Sequence, residues 1–134
     1  MNLKKSRFDD LQEFIWGDNH LTPIIIDSQL VSLFNRIGFD DVYDFENGRL
    51  PGFRTNGLNV SRKRYVLRKF DEINDSPRMN DLLEIVFNQD HFSRDPTKNL
   101  VEAVAHVNLL IQRDDYSLAV NGDGQYRVIS LAPN

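Results

Sequence analysis

The residues best suited to binding chemistry are the cations clustered between positions 49 and 70. This stretch holds seven basic residues and no acid: Arg49, Arg54, Arg62, Lys63, Arg64, Arg68 and Lys69. Two aromatic side chains, Phe53 and Tyr65, lie among them. Positive charge neutralises the phosphates of a nucleic acid, and aromatic rings stack on its bases. The pattern therefore indicates a binding surface for a protein partner or a nucleic acid. Its candidate contact residues are Arg54, Arg62, Arg64, Tyr65, Arg68 and Lys69.

An acidic stretch precedes this basic one. Residues 8–48 carry one basic residue, Arg36, and nine acids: Asp9, Asp10, Glu13, Asp18, Asp27, Asp40, Asp41, Asp44 and Glu46. Such segregation has two explanations of equal weight. It can mark an electrostatic surface for a partner, or the two segments can lie against each other in the fold and pair.

The other chemistry-bearing residues form no recognisable motif. His20, His91 and His106 are far apart in the sequence, whereas a zinc site needs three or four ligands at defined spacing. We interpret them as ordinary surface or half-buried histidines and predict no metal and no cofactor. The chain has no cysteine, which excludes disulfides and thiolate nucleophiles. We therefore expect a protein that is not an enzyme. The remaining catalytic alternative is a small hydrolase or nuclease whose acids and histidines gather in a pocket from distant segments.

Composition is typical of one ordinary globular domain. The 134 residues are 40% hydrophobic and 27% charged, with a net charge of −4. The sequence lacks an apolar run long enough for a transmembrane helix, and the basic N-terminus lacks the apolar region of a secretory signal. We expect a cytoplasmic protein without a membrane partner.

Helical periodicity dominates the first half of the chain. A first helix is predicted over about residues 6–16 and ends at Gly17. Thr22 and Pro23 predict the start of a second helix that carries residues 24–26 on its apolar face. Alternatively, those three isoleucines form a short strand and Asp27 caps a shorter helix. Residues 39–60 are predicted to be a long loop, of a kind that is often functional.

Three further helices and a hairpin are predicted after this loop. Ser61 caps a helix over residues 62–74, whose exposed arc is expected to carry Arg64, Tyr65, Arg68 and Lys69. Ser76 with Pro77, and Asp95 with Pro96, predict the starts of the next two helices. The last helix is expected to bury Leu100, Val101, Val104, Val107 and Ile111. The predicted fold class is α+β, with about five helices, a C-terminal antiparallel hairpin, and one possible further strand from residues 24–26 or 42–54.

The last helix and the hairpin form one unit at residues 95–131. Helix followed by hairpin is also the order of a winged helix, but this helix is too apolar and too neutral for a DNA groove. We therefore interpret it as the centre of the core. Asn108 lies beside its apolar arc and is expected to bond the hairpin backbone, because a buried amide needs partners. Asn108 and Tyr116 together are expected to lock the helix to the hairpin.

Residues 107–118 resemble a pattern found in the AbiJ N-terminal-domain families of bacterial abortive-infection proteins. In that pattern a helix ends in Asn-x-x-Leu or similar, and Asp-Gly-Tyr-x-Leu and a hairpin follow. The matching positions are Asn108, Ile111, Asp114, Tyr116 and Leu118. Asp115 departs from the pattern, which has Gly there. Residues 87–96 also resemble the loop before that helix, and the resemblance extends over about residues 60–131.

The resemblance implies an N-terminal module joined to a separate effector domain, which senses invasion or mediates interactions without catalysis. We thus expect residues 1–134 to be a single domain, either part of a longer protein or a small protein of its own. The expected function is a non-catalytic sensor or interaction domain in anti-phage defence, with a protein partner or an effector domain. It would bind through the loop at 47–58 and the exposed arc of the third helix. Replacing Arg64, Arg68 and Lys69 with Glu is expected to abolish that binding without disturbing the fold.

Overall fold

The computed structural model describes residues 1–52 and 60–132, and the fold is α+β as predicted. The helices are α1 (Phe8–Trp16), α2 (Asp27–Asn35), α3 (Arg62–Ile73), α4 (Pro77–Val86), α5 (Gln89–Phe92) and α6 (Leu100–Ile111). Short 3-10 helices precede α1 at Lys5–Arg7 and follow α6 at Gln112–Asp114. Strands β1 (Tyr116–Val120) and β2 (Tyr126–Ser130) pair antiparallel, with Leu118 opposite Val128. Among the described helices, none is both long and apolar enough to cross a membrane.

Helix α3 lies at the centre of the core. It packs against α1, α2 and α4, and its Val66, Phe70 and Ile73 are fully buried. The Phe70 ring lies 5.1 Å from the ring of Phe8 on α1. Full burial of one such large apolar side chain contributes roughly 1.5–3 kcal/mol. The apolar face of α3 therefore holds the surrounding helices together.

Helix α6, which was expected to be the centre of the core, lies at its edge. It packs on one side against α1 and β1. On its other side Val101 and Leu109 are 67% and 70% exposed. The expected burial of Val101 was therefore wrong, because the buried stripe of α6 follows Ala103, Val104, Val107, Leu110 and Ile111.

The Ser residues predicted to start helices do so. The Ser61 hydroxyl accepts a hydrogen bond from Arg64 N at the start of α3, and the Ser76 hydroxyl accepts one from Arg78 N at the start of α4. The start predicted at Asp95 and Pro96 is wrong. The Asp95 carboxylate accepts hydrogen bonds from Thr97 in a local turn, and Asn99 caps α6 instead.

The start predicted at Thr22 and Pro23 is also wrong. The Thr22 hydroxyl donates to Phe14 O in α1 and is not available as a cap. Gly17 has φ 92°, and a Cβ added there would lie 2.6 Å from Pro23 O, so the chain passes closely against the end of α1. Residues 23–26 then have no regular secondary structure, and Ile26 is extended just before α2 begins at Asp27.

The alternative of a shorter second helix is therefore closer to the structure. Asp27 is its first helical residue and not its cap, and Gln29 Oε1 accepts a hydrogen bond from Ile26 N. Residues 24–26 do not pair as a strand, since the sheet in the described ranges contains only β1 and β2.

Asn108 joins α6 to the hairpin as predicted. Its Nδ2 donates to Leu118 O at 3.0 Å, and its Oδ1 accepts from Leu118 N at 2.8 Å. The Tyr116 hydroxyl instead accepts from Asn2 N, so it ties the hairpin to the N-terminal segment and not to α6. Asp115 between them has φ 67°, a left-handed conformation that glycine adopts without strain and that aspartate tolerates.

Candidate functional site

The acidic and basic segments pair with each other in the fold. Among the described residues, three ion pairs join them, with N–O distances of 2.5 Å for Arg62 and Asp27, 3.6 Å for Lys63 and Asp9, and 2.6 Å for Lys69 and Asp41. They connect α3 to the start of α2, to α1 and to the segment after α2. These contacts support the second explanation of the charge segregation, in which the two segments lie against each other in the fold and pair.

Asp41 is the centre of the most buried of these pairs. It accepts hydrogen bonds from Lys69 Nζ and from the Tyr65 hydroxyl, the latter at 2.7 Å. Burial acts to raise the pKa of Asp41, but these two hydrogen bonds and the Lys69 charge outweigh it and lower that pKa. Burial, followed by the Asp41 carboxylate and the charge of Glu72, raises the pKa of Tyr65. Lys69 also lies 3.9 Å from the centroid of the Phe39 ring, a cation–π contact.

The expected exposed arc on α3 is therefore wrong at two positions. Tyr65 and Lys69 retain only 2% and 9% of their exposure, because both side chains turn toward Asp41 and the segment after α2. Their contribution is to hold that segment in place. What remains accessible of them lines a cleft of about 470 Å³ together with Arg68.

The other candidate contacts have different surroundings. Arg62, besides its ion pair, lies over the Trp16 ring at 5.5 Å. Arg68 is half-buried against Gly52, where an added Cβ would lie 2.9 Å from Arg68 Nη1. Arg64 is exposed. Arg54 and residues 53–58 of the expected binding loop lie outside the described residues. The basic surface on α3 is thus reduced mainly to Arg64 and Arg68.

Apolar side chains project into solvent in the segment after α2. Val42 and Phe45 are 81% and 80% exposed, more than any other large hydrophobic residue in the described part of the chain. The Phe45 ring packs edge-on against Tyr43, with centroids 4.8 Å apart. We call residues 41–49 the aromatic turn.

Hydrogen bonds fix the aromatic turn at both ends. Asn35 at the end of α2 donates to Asp41 O at 2.9 Å and accepts from Asp41 N at 3.0 Å. The Asp44 and Arg49 backbones bond each other in both directions. The Asp44 carboxylate also accepts from Asn47, across the tip of the turn. Val42 and Phe45 are therefore exposed on an ordered backbone.

A groove of about 590 Å³ runs between the aromatic turn and α2. Its lining comprises Ser28, Gln29, Val31, Ser32, Asn35, Asp41, Val42, Tyr43, Phe45 and Arg94. In the sequence these residues fall in predicted loops and a predicted helix, and none of them was among the candidate binding residues. The signal that could have indicated it is the apolar Val-Tyr-x-Phe at 42–45 within an acidic stretch.

A second cleft, of about 490 Å³, gathers acids and a histidine. It is lined by Arg36, Asp81, Glu84, Ile85, Asn88, Asp90, His91 and Arg127. His91 is buried, with 6% exposure, because α5 turns it inward, so its expected surface or half-buried position was wrong. Burial, followed by the charges of Arg94 and Arg36, lowers the pKa of His91 to about 4.

The chemistry of this second cleft does not favour proton transfer. An efficient general base has a pKa near the working pH, and that of His91 is well below neutrality. The Glu84 carboxylate accepts a hydrogen bond from Val128 N and lies 3.8 Å from the Arg127 guanidinium. Within residues 1–52 and 60–132, no hydrogen bond joins His91 to a carboxylate. The same residues contain no group of three or more His, Asp or Glu side chains arranged to hold a metal ion.

No family model matches the chain, and neither the curated proteins nor the solved structures include a significant match.

Proposed function

We propose that this chain is a non-catalytic interaction domain that binds a segment of a partner protein in the groove between α2 and the aromatic turn. The observation that carries the proposal is the exposure of Val42 and Phe45 on an ordered backbone beside that groove. Single exposed apolar residues are common and need no explanation. Two on one fixed turn that borders a groove are less easily explained without a partner.

The order of the aromatic turn favours tight binding. Aromatic side chains are over-represented among the residues that contribute most to protein–protein affinity. A backbone that is already fixed loses little further conformational entropy on binding. Here Asn35, Asp44 and the Lys69–Asp41 pair hold the turn before any partner arrives.

The lining of the groove suggests the chemistry of the partner. Val42 and Phe45 supply apolar contacts at one wall, while the Ser28 and Ser32 hydroxyls supply polar groups along α2. Arg94 adds a positive charge. A partner segment with an apolar side chain next to an acidic one would complement both features.

The nucleic-acid alternative has weaker support. Affinity for a phosphate backbone grows with the number of phosphates that are neutralised. Arg62, Lys63 and Lys69 are already paired with carboxylates. Arg64 and Arg68, together with Arg54, are left to carry such a role.

The setting in cytoplasmic anti-phage defence is proposed from the sequence resemblance. One structural detail supports that resemblance. Asp115, which stands where the AbiJ pattern has Gly, adopts a left-handed conformation with φ 67°. This is the conformation in which a glycine would be favoured. The partner in this setting would be an effector domain or another defence protein.

Phe45→Asp is expected to weaken binding in the groove by at least about tenfold, because a carboxylate replaces an apolar contact at its edge. The probe is a set of peptides selected from a displayed random library on the immobilised chain. Fluorescence polarisation then measures their affinity for each variant.

The matched control is Leu109→Asp, which introduces the same charge at an apolar residue on α6 that is 70% exposed. It should leave the affinity of the selected peptides unchanged. Selection of no peptides, or peptides that bind the Phe45→Asp variant as tightly as the unmodified chain, would rule out the groove as the binding site.

A further inference from the structure

A small cavity of about 40 Å³ lies between α2 and α5, separate from the contacts of the aromatic turn. Its lining comprises Ile25, Gln29, Ser32, Leu33, Arg36, His91 and Arg94. It shares Gln29, Ser32 and Arg94 with the groove, and both Arg36 and His91 with the second cleft. One buried water needs roughly 10–15 Å³ of cavity volume, so this cavity has room for a few groups of that size.

Two guanidinium groups border this cavity without an ion pair. Arg36 follows the end of α2 and Arg94 follows α5. Across the described ranges, the ion pairs of the chain involve other cations and leave out both of these. Both charges are close enough to His91 to lower its pKa. Both residues are exposed, so water screens their mutual repulsion, and an anion bound between them would lower it further.

His91 forms the buried wall of the cavity. Its Nε2 is buried and has no hydrogen-bond partner within the part of the chain that the structure describes. Such groups are uncommon, because a buried polar atom without a partner costs free energy. On the opposite wall, Gln29 Oε1 accepts from Ile26 N, so the Gln29 amide NH2 is the group that can donate to a ligand.

We infer that this cavity binds a compact oxyanion, phosphate or sulfate, either free or as the terminal group of a larger ligand. Arg36 and Arg94 hold it from two sides, and the Gln29 amide donates to it. Guanidinium groups suit this role because their planar donors match the oxygens of phosphate. The cavity is too small for a nucleoside, which limits the bound part to the anion itself. The inference goes beyond the proposed function, since a free anion needs no partner protein.

The test is a titration of the full chain with inorganic phosphate, followed by NMR at constant ionic strength. We expect saturable shifts at Arg36, His91 and Arg94. The Arg36→Gln/Arg94→Gln double variant should bind phosphate at least about tenfold more weakly, because both charged donors are lost. Lys4→Gln/Arg113→Gln removes the same charge from exposed positions away from the cavity and should keep the affinity within about twofold.

A parallel titration with phenyl phosphate separates the two sources of the anion. Binding of both compounds indicates a terminal phosphoryl group, whereas binding of inorganic phosphate alone indicates a free ion. Shifts that do not saturate, or equal affinity in the Arg36→Gln/Arg94→Gln variant, would overturn the inference. Although the cavity shares Gln29, Ser32 and Arg94 with the groove, no peptide is present in this titration, so its outcome does not depend on peptide binding there.

Discussion

Lys69→Glu is expected to destabilise the folded state by at least about 4 kcal/mol, a large fraction of the stability of an ordinary domain. Lys69 Nζ lies 2.6 Å from the Asp41 carboxylate, and the residue is only 9% exposed. The substitution replaces an attraction with a repulsion in a site that little water can reach. It also removes the cation from the face of the Phe39 ring. Equilibrium unfolding in urea measures the loss.

Arg64→Glu is the matched control. It makes the same reversal of charge on the same helix, at an exposed residue, and should change the unfolding free energy by no more than about 1 kcal/mol. Equal effects at the two positions would contradict the structural role of Lys69. The sequence predicted that the triple change of Arg64, Arg68 and Lys69 to Glu leaves the fold intact. Because it includes Lys69, it is instead expected to destabilise the fold by at least as much as Lys69→Glu.

The free energy of unfolding is expected to fall by about 3 kcal/mol between pH 6.5 and pH 4, because of His91 alone. The folded state holds the pKa of His91 at about 4, whereas the unfolded chain takes up the proton near pH 6.5. Within this window only the unfolded state binds the proton, so acid favours unfolding. The stabilisation is complete above pH 6.5. The charged groups that line the cavities around His91 are Arg36, Asp81, Glu84, Asp90, Arg94 and Arg127.

His91→Gln should remove this part of the pH dependence, and His106→Gln should not, because His106 is exposed on α6. Asp41 interferes little, since the stability from its lowered pKa is present above the ordinary carboxyl value of 3.8 and is lost as the pH falls below it. NMR titration of the His91 ring gives a second measurement that does not depend on a variant. A ring that titrates near pH 6.5 in the folded protein would contradict the lowered pKa and the burial of His91 that explains it.

Local patterns predicted much of the fold. The caps at Ser61 and Ser76, the end of α1 at Gly17 and the hairpin all depend on residues close in sequence. Asn108 was also predicted correctly, because an amide beside an apolar stripe must find backbone partners.

The errors have a common physical origin in tertiary contacts. Thr22 has the side chain of a helix cap, but its hydroxyl bonds Phe14 O, eight residues earlier. Lys69 lies on the polar side of a helical wheel, yet Asp41 draws it into the core. No periodicity within α3 reveals a partner that arrives from the segment after α2.

The candidate site was the least predictable part. Its groove and cavity form where α2 meets the aromatic turn and α5. The sequence signal for them is limited to Val42 and Phe45, two apolar residues within an acidic stretch. The charge segregation was noticed correctly, but it indicated an internal interface. The proposed binding surface is therefore no longer α3 but the groove between α2 and the aromatic turn. Asp41 connects the two regions, since its backbone bonds Asn35 on α2 and its carboxylate bonds Tyr65 and Lys69 on α3.

A double-mutant cycle between Asp41 and Lys69 tests this central claim most directly. Asp41→Asn, Lys69→Met and the double variant are compared by urea unfolding at pH 7. If the acidic and basic segments are structural partners, the coupling free energy should be at least about 2 kcal/mol. The more exposed pair of Lys63 and Asp9 should give no more than about 0.5 kcal/mol in the same experiment. A coupling at Asp41 and Lys69 as small as that of the exposed pair would contradict the account and return Lys69 to the list of candidate binding residues.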